Sequence, residues 1–273
     1  MLTVLFNRWN ATGDRLCQEI ADCRLEGIGI CAELPLKLRA QLAQAAPVLL
    51  YDACLAIDDP KLDGRLDAAL RDAMSLSARA VLFGVGGSCD PGSDDRDFAE
   101  TVRQMARRCE QGGLAMLLTN RRPFKKGAFV CAEKLKRLCG ACGAKLALDV
   151  GASHACNRAL EDFFDLYECA QMLMLNDNFG RDACYPVGHP DFDPSILPDD
   201  MRQPGYGTVP YVKIGENLRA LAPDRTLMIN GRRHQGAPLK QVMLETRVLL
   251  SGRVFVNPAG GRIGMNPNGR MLL

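Results

Sequence analysis

The chain has 273 residues, of which 47% are hydrophobic and 24% charged, and its net charge is +2. That composition is ample for a sizeable core and excludes wholesale disorder. The near-neutral balance gives no whole-chain attraction to nucleic acid or another polyanion, so any such argument must come from local clusters.

Short apolar runs and longer amphipathic runs alternate from the start. The first apolar run, at 2–7, ends on Asn7. The stretch "TGDRLCQEIADCRLEG" follows, with an Asp in its first turn, apolar residues at helical spacing and a closing Gly. Apolar runs return at 27–32, 48–51, 80–84, 114–119, 145–150, 170–176 and 226–230, which makes eight strand candidates. Their near-continuous hydrophobicity predicts strands buried on both faces, as in a parallel sheet. Amphipathic segments lie between them: "DPKLDGRLDAALRDAMSLSA", "DDRDFAETVRQMARRCEQGG", "CAEKLKRLCGACGAK", "VKIGENLRALAP" and "PLKQVMLETRVLLSG". Eight strand–helix units predict an α/β fold, a single-domain (β/α)8 TIM barrel over residues 1–250. A doubly wound open sheet is the alternative, but "FNRWNATGD" after the first strand is not its Gly-rich phosphate turn. "GVGGSCDPG" lacks the GxGxxG spacing and follows the fourth strand.

Two regions break the regularity. Residues 184–209 are rich in Pro, Asp and Gly and read as a lid or binding segment. Residues 251–273 form a Gly/Asn/Pro-rich tail, read as a surface strap.

The 12 cysteines are scattered through apolar stretches. No secretory signal precedes them, so they read as small buried hydrophobes in a reducing cytoplasm. The Cys139–Cys142 pair has redox spacing but ends an amphipathic stretch, which fits a helix C-terminus better than a redox turn. No apolar run reaches the roughly 18 residues that span a bilayer, so no membrane association is expected.

In such a barrel, ligands bind where the strands end. Those positions hold Asn7, Ala32-Glu33, Tyr51-Asp52, Gly84, Thr119-Asn120, Asp149, Asn176-Asp177 and Asn230. Just beyond them come Arg121, Arg122, Lys125, Lys126, Arg181, Arg232, Arg233 and His234. Arginine forks suit phosphate or carboxylate, so a small anionic ligand is the expected partner. The equally available reading is a set of solvated loops.

Several stretches, in order and at barrel spacing, resemble the xylose isomerase-like TIM-barrel superfamily, which includes sugar-phosphate isomerases, epimerases and AP-endonuclease relatives. "EIADCRLEGIGICAE" resembles its first helix and second strand. "LALDVGASHAC" resembles its strand-six motif, "LMLNDN" its "LHLND" motif, and "QPGYGTVPYVKIGENLRAL" its "PGEGxIDW" turn and following helix. The resemblance implies a divalent metal held by two Glu, an Asp and a His, assisting proton transfer on a sugar. This sequence departs from that ligand set. The strand-five Glu falls on Thr119, the strand-seven His on Met174 and the strand-eight Glu on Asn230, while Asp149 is kept. The strand-six His is displaced to His154, with Ala152 at the usual spacing. The family's Asp-x-His falls on either 182–184 or 199–201, and neither supplies the His.

The expectation is therefore an isomerase- or epimerase-like barrel with a degenerate metal site. A family-type divalent cofactor is not expected, and any ion would have to use Asp149, His154, Asp182 and Cys184. Asp149, Asp177 and His154 are the candidate catalytic groups. Tyr51, Asn120, Arg121, Asn176, Asn230 and Arg232 are the candidate substrate-binding groups for a small anionic, sugar-like ligand. The alternative is a non-catalytic ligand-binding or regulatory paralogue. AP-endonuclease chemistry needs a His-rich multi-metal cluster, and the chain has only 3 His. Nucleic acid is not the expected partner, because little aromatic residue interleaves with the basic rim. A homo-oligomer remains open.

Overall fold

The computed structural model describes residues 1–11, 15–85, 95–120, 132–155, 166–167, 169–180, 201–221, 223–252, 255–256, 262–265 and 271–272. Strands β1 (Leu2–Phe6), β2 (Ile28–Cys31), β3 (Val48–Ala56), β4 (Ala80–Gly84), β5 (Ala115–Thr119), β6 (Lys145–Asp149), β7 (Ala170–Leu175) and β8 (Thr226–Ile229) form a closed barrel in chain order. Every pairing is parallel, and the ring closes through Leu2↔Leu227, Thr3↔Met228 and Val4↔Ile229. The chain is a (β/α)8 barrel.

Helices follow each strand: α1 (Leu16–Cys23), α2 (Leu36–Ala45), α3 (Leu62–Ser75), α4 (Asp95–Gln111), α5 (Ala132–Cys142), α6 (Val150–Ala155), α7 (Tyr211–Leu221) and α8 (Leu239–Leu250). Pro35 and Pro238 stand at the N-caps of α2 and α8, where a missing N–H breaks no intrahelical bond. Beyond α8, short strands β9 (Phe255–Val256), β10 (Arg262–Met265) and β11 (Met271–Leu272) pair antiparallel in a separate three-stranded sheet.

Two apolar layers hold the barrel. Inside it, Leu5, Leu50, Leu82, Leu117, Ala147, Met172, Met174 and Met228 pack together. Outside it, Val4, Phe6, Ile30, Tyr51, Phe83, Leu118, Leu148, Leu173 and Ile229 pack against the helices. Successive strand residues point to opposite faces, so burial on both sides demands apolar residues at nearly every position. That is why each strand reads as an unbroken hydrophobic run. The strand β3 is longer than its apolar run of 48–51 and continues through Asp52, Ala53, Cys54 and Leu55 to Ala56. The Cys139–Cys142 pair closes α5, with Cys139 buried and Cys142 Sγ donating to the Leu138 carbonyl at 2.8 Å. Among the described residues no helix is long and apolar enough to cross a membrane.

Candidate functional site

Strand parity selects what faces the mouth of the barrel. Continuing the alternation from Leu5, Leu82, Leu117, Ala147, Met174 and Met228 puts Asn7, Gly84, Thr119, Asp149, Asn176 and Asn230 on the inner side at the C-terminal end. The same alternation adds Asp52 from β3 and Cys31 from β2, two residues beyond Leu50 and Gly29. Of the eight residues at this level, all but Gly84 carry a side chain that can hydrogen-bond or bind an ion.

On the β6–β8 wall those groups bond to one another. Asp149, fully buried, accepts from Asn176 Nδ2 at 2.7 Å and from the Ala152 N–H at 2.8 Å on Oδ1. Its Oδ2 accepts from Asn230 Nδ2 at 3.1 Å. Asn176 Nδ2 also donates to Asn230 Oδ1 at 3.0 Å, closing a ring of three side chains. Asn120 brackets the backbone of Asp149: its Oδ1 accepts the Asp149 N–H at 2.8 Å, and its Nδ2 donates to the Asp149 carbonyl at 3.0 Å. Asn7 Nδ2 donates to the Asn230 carbonyl at 2.8 Å, tying the first strand to the last. Among the described residues, Asn176 Oδ1 is a buried acceptor without a donor. It turns toward Gly151, where any Cβ would strike it. A carboxylate this deep needs donors, and the amides supply them.

A divalent ion of the kind the sequence resemblance implies does not fit this donor set. Hard ions want several carboxylate oxygens, and zinc wants His or Cys. Thr119, Met174 and Asn230 stand at the positions that match the lost ligands, and both Asp149 oxygens already accept amide N–H groups. Proton donors of the protein occupy the space beside the carboxylate that a cation would need. The residues Asp182 and Cys184 lie outside the described residues, as do Arg121, Arg122, Lys125, Lys126 and Arg181 and the stretch 184–200 of the expected lid.

Asp177 has a different task. Its carboxylate accepts the N–H groups of Asn178 (2.9 Å), Gly205 (2.8 Å) and Val209 (3.0 Å). Burial pushes its pKa up to about 7, against the opposing pull of backbone N–H groups from Val209, Gly205, Asn178 and Gly207. The backbone of Asp177 also pairs with Arg202, whose neighbour strand partner is Arg232. Gly207 allows this wrap, because a Cβ there would meet the Asn178 carbonyl and Asp177 Oδ1. Gln203 Nε2 donates to the buried Glu245 of α8 at 2.6 Å, and Tyr206 stacks on His234 with ring centroids 4.0 Å apart. The part of the expected lid that is described, 201–209, is thus strapped down at the β7–β8 edge. His154 Nε2 shares a 2.9 Å hydrogen bond with Thr208 Oγ1, joining α6 to that strap.

The expected site residues therefore divide. Asp149, Asn120, Asn176 and Asn230 are brought together in one network. Asp177 and His154 lie beside it but engage the strap. Tyr51 is not brought to the mouth: its hydroxyl donates to Asp72 Oδ2 at 3.1 Å and accepts from Arg39 at 2.9 Å, in the layer between sheet and helices. Burial raises the pKa of its hydroxyl. Arg232 is exposed at the rim, its guanidinium 4.9 Å from the centre of the Trp9 ring, and Arg8 lies 4.2 Å from the same ring. The ring's negative face favours both cations. A cleft of about 700 Å³ between α2 and α3, lined by Arg39, Gln44, Asp72 and Arg79, opens at the other end of the barrel, near the starts of β3 and β4. It lies away from the C-terminal strand ends, where the polar groups converge.

The residues Arg8, Trp9 and the thiols Cys31 and Cys54 were not singled out from the sequence. Cys31 Sγ and Cys54 Sγ lie 3.0 Å apart at the ends of adjacent strands. The available signal was positional: a Cys closing the second strand, and an Asp-x-Cys after the third apolar run.

No protein-family model matches the sequence, and no curated protein matches it. Solved structures do share the fold. One is a xylose isomerase domain containing protein from Salmonella typhimurium LT2, 13% identical, covering 91% of this chain and 96% of that one at a TM-score of 0.66. Another is the probable 3-DHS dehydratase AsbF of petrobactin synthesis from Bacillus anthracis, 14% identical over 91% of this chain and 98% of that one, with a TM-score of 0.64. A third is D-psicose 3-epimerase with D-tagatose from Clostridium cellulolyticum H10, 14% identical over 94% and 93% of the two chains, with a TM-score of 0.57. At this identity the likeness is one of fold.

Proposed function

We propose that the barrel binds a small anionic, hydroxyl-rich ligand of the sugar or sugar-phosphate class at the C-terminal mouth, without family-type metal-assisted proton transfer. The observation that carries this reading is the ring of Asp149, Asn176 and Asn230. In it, amide N–H groups hold both carboxylate oxygens beside which an isomerase-type ion would sit. Metal-assisted enolisation needs a Lewis acid and a base in reach of the substrate carbon. Here Asp149 already accepts two N–H groups on Oδ1 and one on Oδ2.

The rim supplies the charge. Arg8 and Arg232, both stacked on Trp9, form a cationic edge across the β8–β1 seam that suits a phosphate or carboxylate group. Arg121 belongs to the same expected rim. A hydroxyl-rich body agrees with the barrels of like fold, one of which was solved with D-tagatose. Eight described cysteines are free thiols, which suits a reducing, cytoplasmic setting.

The test is calorimetric titration with sugar phosphates and the parent sugars, in the presence of a chelator. Binding of a phosphorylated ligand, weakened roughly tenfold by Arg232→Ala (about 1.4 kcal/mol), supports the reading. Manganese-dependent epimerisation of a ketose, followed by NMR, would sink it in favour of a working isomerase.

A further inference from the structure

The opposite wall of the same mouth carries a second set of ligating groups. Cys31 closes β2, and Asp52 and Cys54 lie on the neighbouring strand β3. The two sulfurs are 3.0 Å apart, roughly 1 Å longer than a disulfide bond. One ligand atom from each of Cys31, Asp52 and Cys54 lies within 4.8 Å of the other two. Cys31 Sγ also donates to Glu33 Oε2 at 3.9 Å. Cys54 has a φ of 52°, a left-handed conformation that a residue with a Cβ rarely adopts. Asp52 Oδ1 accepts the Cys54 N–H at 2.9 Å and holds that turn. Strain of this kind persists where the surroundings require it, and it clusters at functional sites. Cys31 is buried, but Asp52, Cys54 and Glu33 are half-buried, so the cluster can be reached from solvent.

We propose that Cys31, Asp52 and Cys54 hold a zinc-class divalent cation, with Glu33 as the fourth donor. Magnesium and calcium want oxygen ligands alone, whereas two sulfurs with carboxylate oxygens suit zinc. Two Zn–S bonds of roughly 2.3 Å at a tetrahedral angle place the sulfurs roughly 3.8 Å apart, a shift within reach of small side-chain rotations. Binding releases the two thiol protons to solvent. The site uses none of the groups committed to the Asp149 network; it meets the proposed rim only at Glu33, whose Oε2 lies 3.6 Å from Arg8 Nε.

The experiment is a titration of the reduced, full-length protein with Co2+, reading thiolate-to-cobalt charge-transfer absorption in the near ultraviolet. The proposal expects a band that saturates at one equivalent and is displaced by Zn2+. It expects Cys54→Ser to abolish the band and Cys142→Ser to leave it unchanged. Asp52→Asn should weaken binding by about tenfold or more, since even outer partners of a metal site cost that much. If Cys31→Ser does not fold, the half-buried Cys54→Ser and Asp52→Asn carry the test. Absence of a band, a band of full intensity in Cys54→Ser, or undiminished affinity in Asp52→Asn overturns the assignment. So does a protein that forms a Cys31–Cys54 disulfide in air and, once reduced, binds neither Co2+ nor Zn2+.

Discussion

Asn176 Nδ2 donates to Asp149 Oδ1 at 2.7 Å while also donating to Asn230 Oδ1 at 3.0 Å, so a single amide nitrogen bridges two buried oxygens. Removing it leaves a carboxylate and an amide oxygen under-satisfied in a site with no water-facing surface. Asn176→Ala should therefore destabilise the fold by about 3 kcal/mol, the scale of a lost hydrogen bond to a buried charge. Asn176→Asp should also destabilise the fold, because it replaces the donor to Asp149 with a second acceptor carboxylate. Chemical denaturation of both variants beside the parent measures these losses.

Placing carboxylates at positions 119 and 230 tests whether the mouth is a decayed metal site. Thr119→Glu with Asn230→Glu adds two negative charges beside Asp149. Without metal, the double variant should melt lower than the parent. With Mn2+, a hard ion that thiolates do not favour, its Tm should recover while the parent's stays unchanged. A double variant indifferent to Mn2+ would mean that the geometry, and not only the charge, has left the metal site behind.

The pH dependence of stability should carry the signature of Asp177. Its folded pKa, raised by burial to about 7, lies above the ordinary carboxylate value. Its contribution is then fully present below about pH 4 and declines as the pH rises to about 7, by on the order of 4 kcal/mol. The slope should disappear in Asp177→Asn, whose side chain does not titrate. Urea unfolding of both proteins between pH 4 and pH 8 checks this, and parallel curves would show that the four backbone N–H groups keep the carboxylate ionised throughout.

Tyr51→Phe separates a strut from a ligand contact. The hydroxyl joins Arg39 and Asp72, which are themselves 2.7 Å apart. The variant should lose about 1 kcal/mol of stability and bind sugar phosphates as tightly as the parent. Thermal melting and titration on the same sample give both numbers.

The barrel was legible in the sequence because strands buried on both faces leave unbroken apolar runs, and each run began within a residue of its strand. The site was legible only as a set of positions. Asp149, Asn176 and Asn230 were placed at strand ends, but that they satisfy one another depends on the register of strands up to 81 residues apart. The outward direction of Tyr51 was within reach, since two neighbours on one strand cannot share a face, and Asp52 takes the inner one. The pairing of Cys31 with Cys54 was not. It depends on a left-handed turn at a residue type that seldom makes one, and a cysteine among apolar neighbours reads first as core.

The seam between Asn7 and Asn230 has a kinetic consequence. That hydrogen bond spans 223 residues of chain and cannot form until β8 has met β1. The Asn7–Asn230 bond can therefore form only as the ring shuts, and it should be largely absent from the transition state. Lesions in it should hasten unfolding while leaving refolding nearly as fast as in the parent. The polar groups at the barrel mouth would then act as a latch, setting how long the closed barrel survives once formed.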